Sequence, residues 1–387
     1  MQKILFVADN RSPIALNWMR YFTARDLEVH LVSLYLGAPA LPLASFHYLP
    51  VAFSSAVPST PTGGRRWLSR FIPPGLRTAL RQRFVPLTLP RAARRLKYLL
   101  TEIQPDLVHA LRIPYEGMLA ALADPAVPLL ISVWGNDFTL HARANPAMAN
   151  FTRLAMKRAE ALHTDCLNDQ HLAAEWGFPD DRPSIVLPGG GGVPLNVFYP
   201  PSVQKITGPY TVINPRGLRA YVRNDTFFQA IPHILAAHPD THFICPAMAG
   251  AREAEVWIAR LGLADRVTLL PRQTSQAMAE LFRQSQVVAS ITTHDGTPNT
   301  LLEALACGCF PIAGDIPSLR EWITPGLNGH LVNPNDPRAL AGLISEALND
   351  YSLRAQAAEN NLTLIKQRAE RQAVMAQAEA FYKKLWG

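Results

Sequence analysis

The stretch from Ser290 to Gly308 holds the residue types whose spacing points most directly to chemistry. Asp295 and Glu303 are two carboxylates separated by Gly296, Thr297, Pro298, Asn299, Thr300, Leu301 and Leu302. An apolar strand pattern ends near Ile291. Gly296 permits a tight turn, Pro298 suits the first helical position and Gly308 a C-terminal cap, so a helix is predicted over 298–307. A helix that opens beside the carboxyl end of a parallel strand directs its free amides into the crevice where open α/β sheets bind ligands. The amides of Asn299, Thr300 and Leu301, with the helix dipole behind them, suit a diphosphate. Glu303, in the second turn of an otherwise apolar helix, can accept two hydrogen bonds from a ribose diol, or pair with a nearby arginine. Asp295, just before the helix, can hold sugar hydroxyls, or serve only as a turn and capping residue.

These residues need a scaffold, and the hydrophobic rhythm supplies one. The first half predicts strands at 3–8, 28–34, 107–110 and 129–133, with helical patterns at 14–24, 115–123 and 147–160. The second half repeats the rhythm, with strands at 211–214, 241–245, 266–270, 286–291 and 309–313. Its helices are expected at 224–237, 252–262, 275–284, 298–307 and 336–350, and the last 35 residues read as one or two amphipathic helices. Strand alternating with helix implies an α/β fold with parallel sheets covered on both faces. At 387 residues two domains are expected. Residues 188–201, four glycines followed by prolines, read as the connection, with a ligand contact through the backbone as the less favoured role. The expected organisation is a first domain at 1–190, a linker at 191–201, a second domain at 202–362 and a C-terminal helix at 363–387 that crosses back to brace the first domain.

Composition narrows the class. The formal charge is +7, yet between Glu28 and Glu102 there is no acidic residue and there are ten Arg and Lys, from Arg65 to Lys97. Prolines and the Gly63-Gly64 pair make 37–63 a long irregular excursion, within a basic insertion spanning 37–100. Over 64–97 the cations interleave with Trp67, Leu68, Phe71, Ile72, Leu76, Leu80, Phe84 and Leu87. That pattern suits peripheral contact with an anionic membrane, or a solvated helical face. No groove-reading motif accompanies it, so no nucleic-acid partner is expected. No apolar run reaches membrane-spanning length. The run Met1–Ala8 ends at Asp9-Asn10-Arg11 without a small-residue cleavage site and reads as a first buried strand. The four cysteines (Cys166, Cys245, Cys307 and Cys309) follow no disulfide or zinc spacing. The expected location is cytoplasmic, peripheral to the inner membrane face if the basic segment docks there. No metal and no cofactor are expected.

The Asp295-x7-Glu303 segment resembles the signature of the retaining GT-B glycosyltransferases of the family 4 type. Its Gly296-Thr-Pro298 turn, Ala306-Cys307-Gly308 and the strand from Phe310 all fit that pattern. Pro317 to Glu321, Gly326 to Gly329, Asn333 to Asp336 and, upstream, Leu263 to Pro271 fit it too, so the likeness covers nearly all of 210–350. The family usually carries Glu where this chain has Asp295, one methylene shorter. The segment Asn214 to Asp225 is similar to the family's Arg…Lys-Gly stretch, whose cations clamp the donor phosphates. Arg216 stands at the Arg position, and Arg219 or Arg223 at that of the Lys. In the first half, Gln104-Pro-Asp106-Leu-Val-His109 and Ile131-Ser-Val-Trp134-Gly135-Asn-Asp137 resemble two strand ends of the family. The family's glycine-rich loop after the first strand is here Asp9-Asn-Arg-Ser-Pro13, without glycine.

The resemblance implies two Rossmann-like, doubly wound domains facing across a cleft, and transfer of a hexose-type sugar with anomeric configuration retained, without metal. The donor is a UDP- or GDP-sugar and the acceptor a saccharide, polysaccharide or lipid-linked cell-envelope molecule held from the N-terminal side. The implied roles place the diphosphate on Arg216, a second arginine and the amides at 299–301, the ribose on Glu303 and the sugar on Asp295. His109 contacts donor sugar or acceptor, or is a satisfied histidine at a strand end. Asp137 acts as general base for the acceptor, or only caps a helix. Two rival readings share the architecture: a non-catalytic nucleotide-sugar binder or partner subunit, and a nucleotide-sugar epimerase.

Overall fold

The computed structural model describes residues 1–51, 74–202 and 209–386, and its contacts divide the chain into two units. The first comprises Met1–Gly191 with Val374–Gly387, the second Gly192–Ala373. The 64–73 portion of the basic segment, with Arg65, Arg66, Trp67, Leu68, Arg70, Phe71 and Ile72, lies outside the described residues, as does 52–63 of the excursion.

The first unit contains β1 (Gln2–Val7), α1 (Pro13–Thr23), β2 (Leu27–Ser33), β3 (Ser45–Tyr48), α2 (Pro74–Ile103), β4 (Leu107–Ala110) and α3 (Met118–Ala123). It continues with β5 (Leu129–Val133), α4 (Pro146–Arg158), β6 (Ala161–Thr164), α5 (Leu167–Glu175) and β7 (Ser184–Val186). Its described strands form one parallel sheet in the order β3-β2-β1-β4-β5-β6-β7. The strands read as unbroken apolar runs because both faces are covered. Ile4, Phe6, Leu107 and Leu130 pack on one side with α1, while Leu5, Val7, Val108 and Ile131 pack on the other with α2 and α3.

The second unit contains β8 (Thr211–Ile213), α6 (Asn224–Ala237), β9 (His242–Cys245), α7 (Arg252–Leu261), β10 (Val267–Leu269), α8 (Ser275–Gln284) and β11 (Val287–Ser290). It continues with α9 (Asn299–Ala306), β12 (Phe310–Gly314), α10 (Pro317–Arg320), β13 (His330–Val332), α11 (Pro337–Asn349) and α12 (Tyr351–Arg368). Its sheet order, β10-β9-β8-β11-β12-β13, is again parallel throughout. Several helices start where a side chain satisfies a free amide. Ser12, Asn145, Thr274, Asp336 and Asp350 each accept from a backbone N–H two or three residues on.

Five elements of the first unit go beyond the sequence reading. The excursion at 37–63 contains β3, which extends the sheet beyond β2. Residues 74–103, which start inside the basic insertion, form a 30-residue helix; a solvated helical face is one expectation there, but Leu89, Ala92, Ala93 and Leu96 are buried. The strands β6 and β7 and the helix α5 between them complete the first sheet.

A last helix, α13 (Arg371–Leu385), belongs from Val374 onward to the first unit. Tyr382 stacks flat on Phe22 at 4.5 Å between ring centroids, and Val374, Met375 and Ala378 join the same core. The anticipated boundary at 362/363 falls inside α12, whose Ile365 is buried within the second unit. The glycine run has a packing reason. A Cβ on Gly191 would lie 2.8 Å from the Met375 sulfur, and one on Gly192 would lie 2.6 Å from the Ala369 carbonyl oxygen. Both residues have positive φ, which only glycine adopts freely.

Candidate functional site

In the second unit the strand order reverses direction between β8 and β11, the switch point at which open α/β sheets bind ligands beyond their carboxyl ends. The loop after β8 carries Arg216 and the loop after β11 carries Asp295. Backbone bonds tie the two loops together, from Arg223 N to the Ile291 oxygen (2.9 Å) and from Thr293 N to the Tyr221 oxygen (2.9 Å). Two buried asparagines shape the first loop. Asn214 Nδ2 donates to Asn224 Oδ1 (2.9 Å), and Asn224 Nδ2 donates to the Gly217 carbonyl (3.1 Å).

Arg216 is buried. Its Nη2 forms an ion pair with Asp295 and its Nη1 donates to Thr300 Oγ1 at 3.2 Å. Its Nε has no acceptor. Arg216 thus reaches the first turn of α9, which opens without a side-chain cap at Pro298. Among the described residues the amides of Asn299 and Thr300 have no acceptor. The Leu301 amide is already donated to the Pro298 carbonyl at 2.9 Å, which corrects the three-amide expectation to two. Gly296, Thr297 and Pro298 are buried in the turn. Trp322 Nε1 donates to Thr297 Oγ1 (3.1 Å), and Ser318 Oγ donates to the Asp295 carbonyl (2.7 Å).

Glu303 has no hydrogen-bond or ion-pair partner among the described residues. Burial pushes its carboxyl up to about 8. The alternative of an arginine partner for Glu303 is therefore not realised, and that of a helix cap for Asp295 is replaced by the Arg216 pair. The other two cations of the loop behave differently. Arg219 is exposed and donates to the Tyr221 hydroxyl (2.9 Å). Arg223 forks onto Asp225 (2.6 and 2.8 Å) and also reaches Asn335, so its charge is matched in this structure.

In the first unit, both expected site residues are internal. His109 is 0% exposed. Its Nδ1 meets the Tyr382 hydroxyl, and its Nε2 meets Ser132 Oγ at 2.8 Å. Ser132 Oγ also meets His163 Nδ1 (2.8 Å), whose Nε2 meets the Leu187 carbonyl (2.9 Å), and Trp18 Nε1 donates to the same Tyr382 hydroxyl (2.9 Å). Burial pushes His109 well below the usual imidazole range and His163 down to about 4, so both are neutral. His109 is a satisfied core histidine, with no ring nitrogen left for a ligand.

Asp137 is likewise a correction. Its side chain is 0% exposed and accepts four N–H bonds. Two come from the Arg112 guanidinium (3.0 and 2.9 Å) and two from the Ile113 and Trp134 amides (3.1 and 3.3 Å). A carboxylate so filled has no lone pair for an acceptor hydroxyl. The Asp137 charge in turn holds the Arg112 guanidinium above its usual range, against burial. Sequence reading missed Arg112, a charged residue just after the apolar strand β4. Its side chain, 29% exposed, sits at that strand's carboxyl end.

Among the described residues one group of metal-capable side chains is close-packed. Asp165, Cys166 and Asp169 have ligand atoms within 4.8 Å of one another at the start of α5. The Cys166 backbone caps that helix and Asp169 lies in its first turn, where the helix dipole favours negative charge.

Residues 199–363 match the family model described as glycosyl transferases group 1, and residues 76–165 match that of glycosyl transferase 4-like proteins. Curated relatives include D-inositol 3-phosphate glycosyltransferases. The one from Xylanimonas cellulosilytica is 27% identical over 209 residues, covering 49% of this chain and 48% of that protein. That from Mycolicibacterium vanbaalenii is 33% identical over 90 residues, covering 23% and 20%. The chain thus spans about half or less of the length of these relatives. Solved structures align along its whole length. Sucrose-phosphate synthase from Thermosynechococcus elongatus has a TM-score of 0.77 at 16% identity, covering 100% of this chain and 99% of that one. Anabaena HepE in complex with UDP-glucose has a TM-score of 0.72 at 17% identity, covering 99% and 100%. The fold is two Rossmann-like α/β units of the GT-B type.

Proposed function

We propose that the protein transfers a hexose-type sugar from a nucleoside diphosphate donor to a hydroxyl acceptor, with the anomeric configuration retained. One observation carries the reading: Arg216 reaches the helix start at the switch point of the second sheet, beside the free Asn299 and Thr300 amides, and the unpaired Glu303 carboxyl stands in the next turn of the same helix. The leaving diphosphate gains negative charge as the sugar–phosphate bond breaks. The Arg216 guanidinium and the helix N-terminus supply fixed countercharge there, the task a divalent ion performs in other transferases. Glu303 as carboxylate accepts from the ribose hydroxyls. Asp295 exchanges Arg216 for the donor sugar when the diphosphate takes over the guanidinium.

UDP is the nucleoside diphosphate we favour, since HepE, one of the structural neighbours, is described in complex with UDP-glucose and with UDP, and GDP is the alternative. The acceptor binds on the first unit, whose sheet is built the same way. Four buried free thiols support a reducing, cytoplasmic setting. The test is incubation of purified protein with UDP- and GDP-sugars. Slow release of the nucleoside diphosphate without acceptor is expected, and Glu303→Gln should lose that turnover. Failure to bind or hydrolyse any sugar nucleotide overturns the reading. Conversion of the donor to an epimer assigns the site to epimerisation instead.

A further inference from the structure

We propose that the outer face of α2 is a docking surface for an anionic lipid bilayer. Arg83, Leu87, Arg91, Arg94, Arg95 and Tyr98 are all exposed, and at 100° per residue they fall within one arc of roughly 120°. The opposite face, with Leu89, Ala92, Ala93 and Leu96, is buried in the core of the first unit, so the arc is fixed outward. It runs for about 22 Å along the helix axis. The sequence supplies no acidic residue from 29 to 101, and the first one, Glu102, stands at the end of the helix beside Tyr98.

The apolar members select the partner. Leu87 is 76% exposed and Tyr98 is 63% exposed, and both sit among arginines. A bilayer interface accepts both chemistries at once, with guanidiniums reaching lipid phosphates while their stems, Leu87 and the tyrosine ring enter the headgroup layer. A nucleic-acid backbone gives Leu87 nothing to bury against. The surface is independent of the sugar-transfer reading and stands or falls on lipid binding alone.

The experiment is sedimentation of the full chain with vesicles of phosphatidylcholine alone and of phosphatidylcholine mixed with phosphatidylglycerol. Binding is expected to the mixed vesicles only, and is released by high salt. The triple variant R91Q/R94Q/R95Q should bind about a hundredfold more weakly, about fivefold per arginine, with an unchanged thermal midpoint because all three side chains are exposed. Leu87→Ser should weaken binding without changing its salt dependence. Equal binding to neutral vesicles, or wild-type binding by the triple variant, overturns the proposal. Tighter binding to a DNA or RNA duplex than to the mixed vesicles also overturns it and assigns the face to nucleic acid.

Discussion

Arg216 and Asp295, which are 79 residues apart in sequence, are joined by an ion pair at the start of α9. The aspartate occupies the cation that a diphosphate would need. Asp295→Asn removes this competing anion while leaving Arg216 and Thr300 in place. Nucleoside diphosphate affinity is expected to hold or rise, and turnover to fall by about a hundredfold. Titration calorimetry beside steady-state kinetics separates the two effects. A parallel loss of affinity and turnover would mean that Asp295 serves only to aim Arg216. Arg216→Ala is expected to weaken nucleoside diphosphate binding by about a hundredfold.

Glu303 gives the site its pH dependence. Its folded pKa, about 8, lies above the ordinary glutamate value. Between the two the folded state holds a proton that the unfolded chain has lost, so stability falls as pH rises through this window. Glu303→Gln removes the effect, and its thermal midpoint should exceed that of the wild type increasingly from pH 5 to about 8. In the proposed role Glu303 accepts from the ribose as a carboxylate, so the wild-type donor KM should fall as pH rises through about 8 and the Gln variant should show no such trend.

The Asp137–Arg112 pair predicts a structural loss without a change of chemistry. Removing Asp137 leaves the partly exposed Arg112 guanidinium and two backbone amides without their acceptor, and Asp137→Ala should cost about 1–3 kcal/mol of stability. Asp137→Asn should leave the pH profile of kcat in place at permissive temperature. Loss of its acidic limb would restore Asp137 as the base.

Tyr382 ties α13 to α1 through Trp18 and to β4 through His109. Tyr382→Phe keeps the ring stacked on Phe22 and strips the hydroxyl from two buried partners, a loss of about 1–3 kcal/mol. Donor affinity should not change. The neutral His109 and His163 add an acid limit. Their folded pKa values lie below that of a free imidazole, so stability is intact above about pH 6.5 and is lost as pH falls toward 4. A urea titration series across that range measures it.

The second unit was legible because its signals are local. The helix 224–237 matches its predicted bounds, as does 275–284, because amphipathic periodicity and, at Thr274, a cap lie within one segment. In the first unit, Pro86 and Pro90 argue against a helix over 74–103. Burial of Leu89 and Leu96 against the sheet outweighs that local cost, and only the packed state reveals it.

By itself the sequence determined the α/β alternation, the helix that opens after Pro298 and the two carboxylates flanking that opening, since each depends on neighbours a few positions away. Tertiary structure decided which polar groups remain free. Arg223 is paired with Asp225, Asp137 with Arg112 and His109 with Ser132 and Tyr382, whereas Arg216 pairs with Asp295 beside the helix start and Glu303 has no partner among the described residues. The physical reason is that a side chain's availability is set by which buried donors and acceptors lie within about 3 Å of it, and apart from the Arg223–Asp225 pair those partners come from distant segments of the chain.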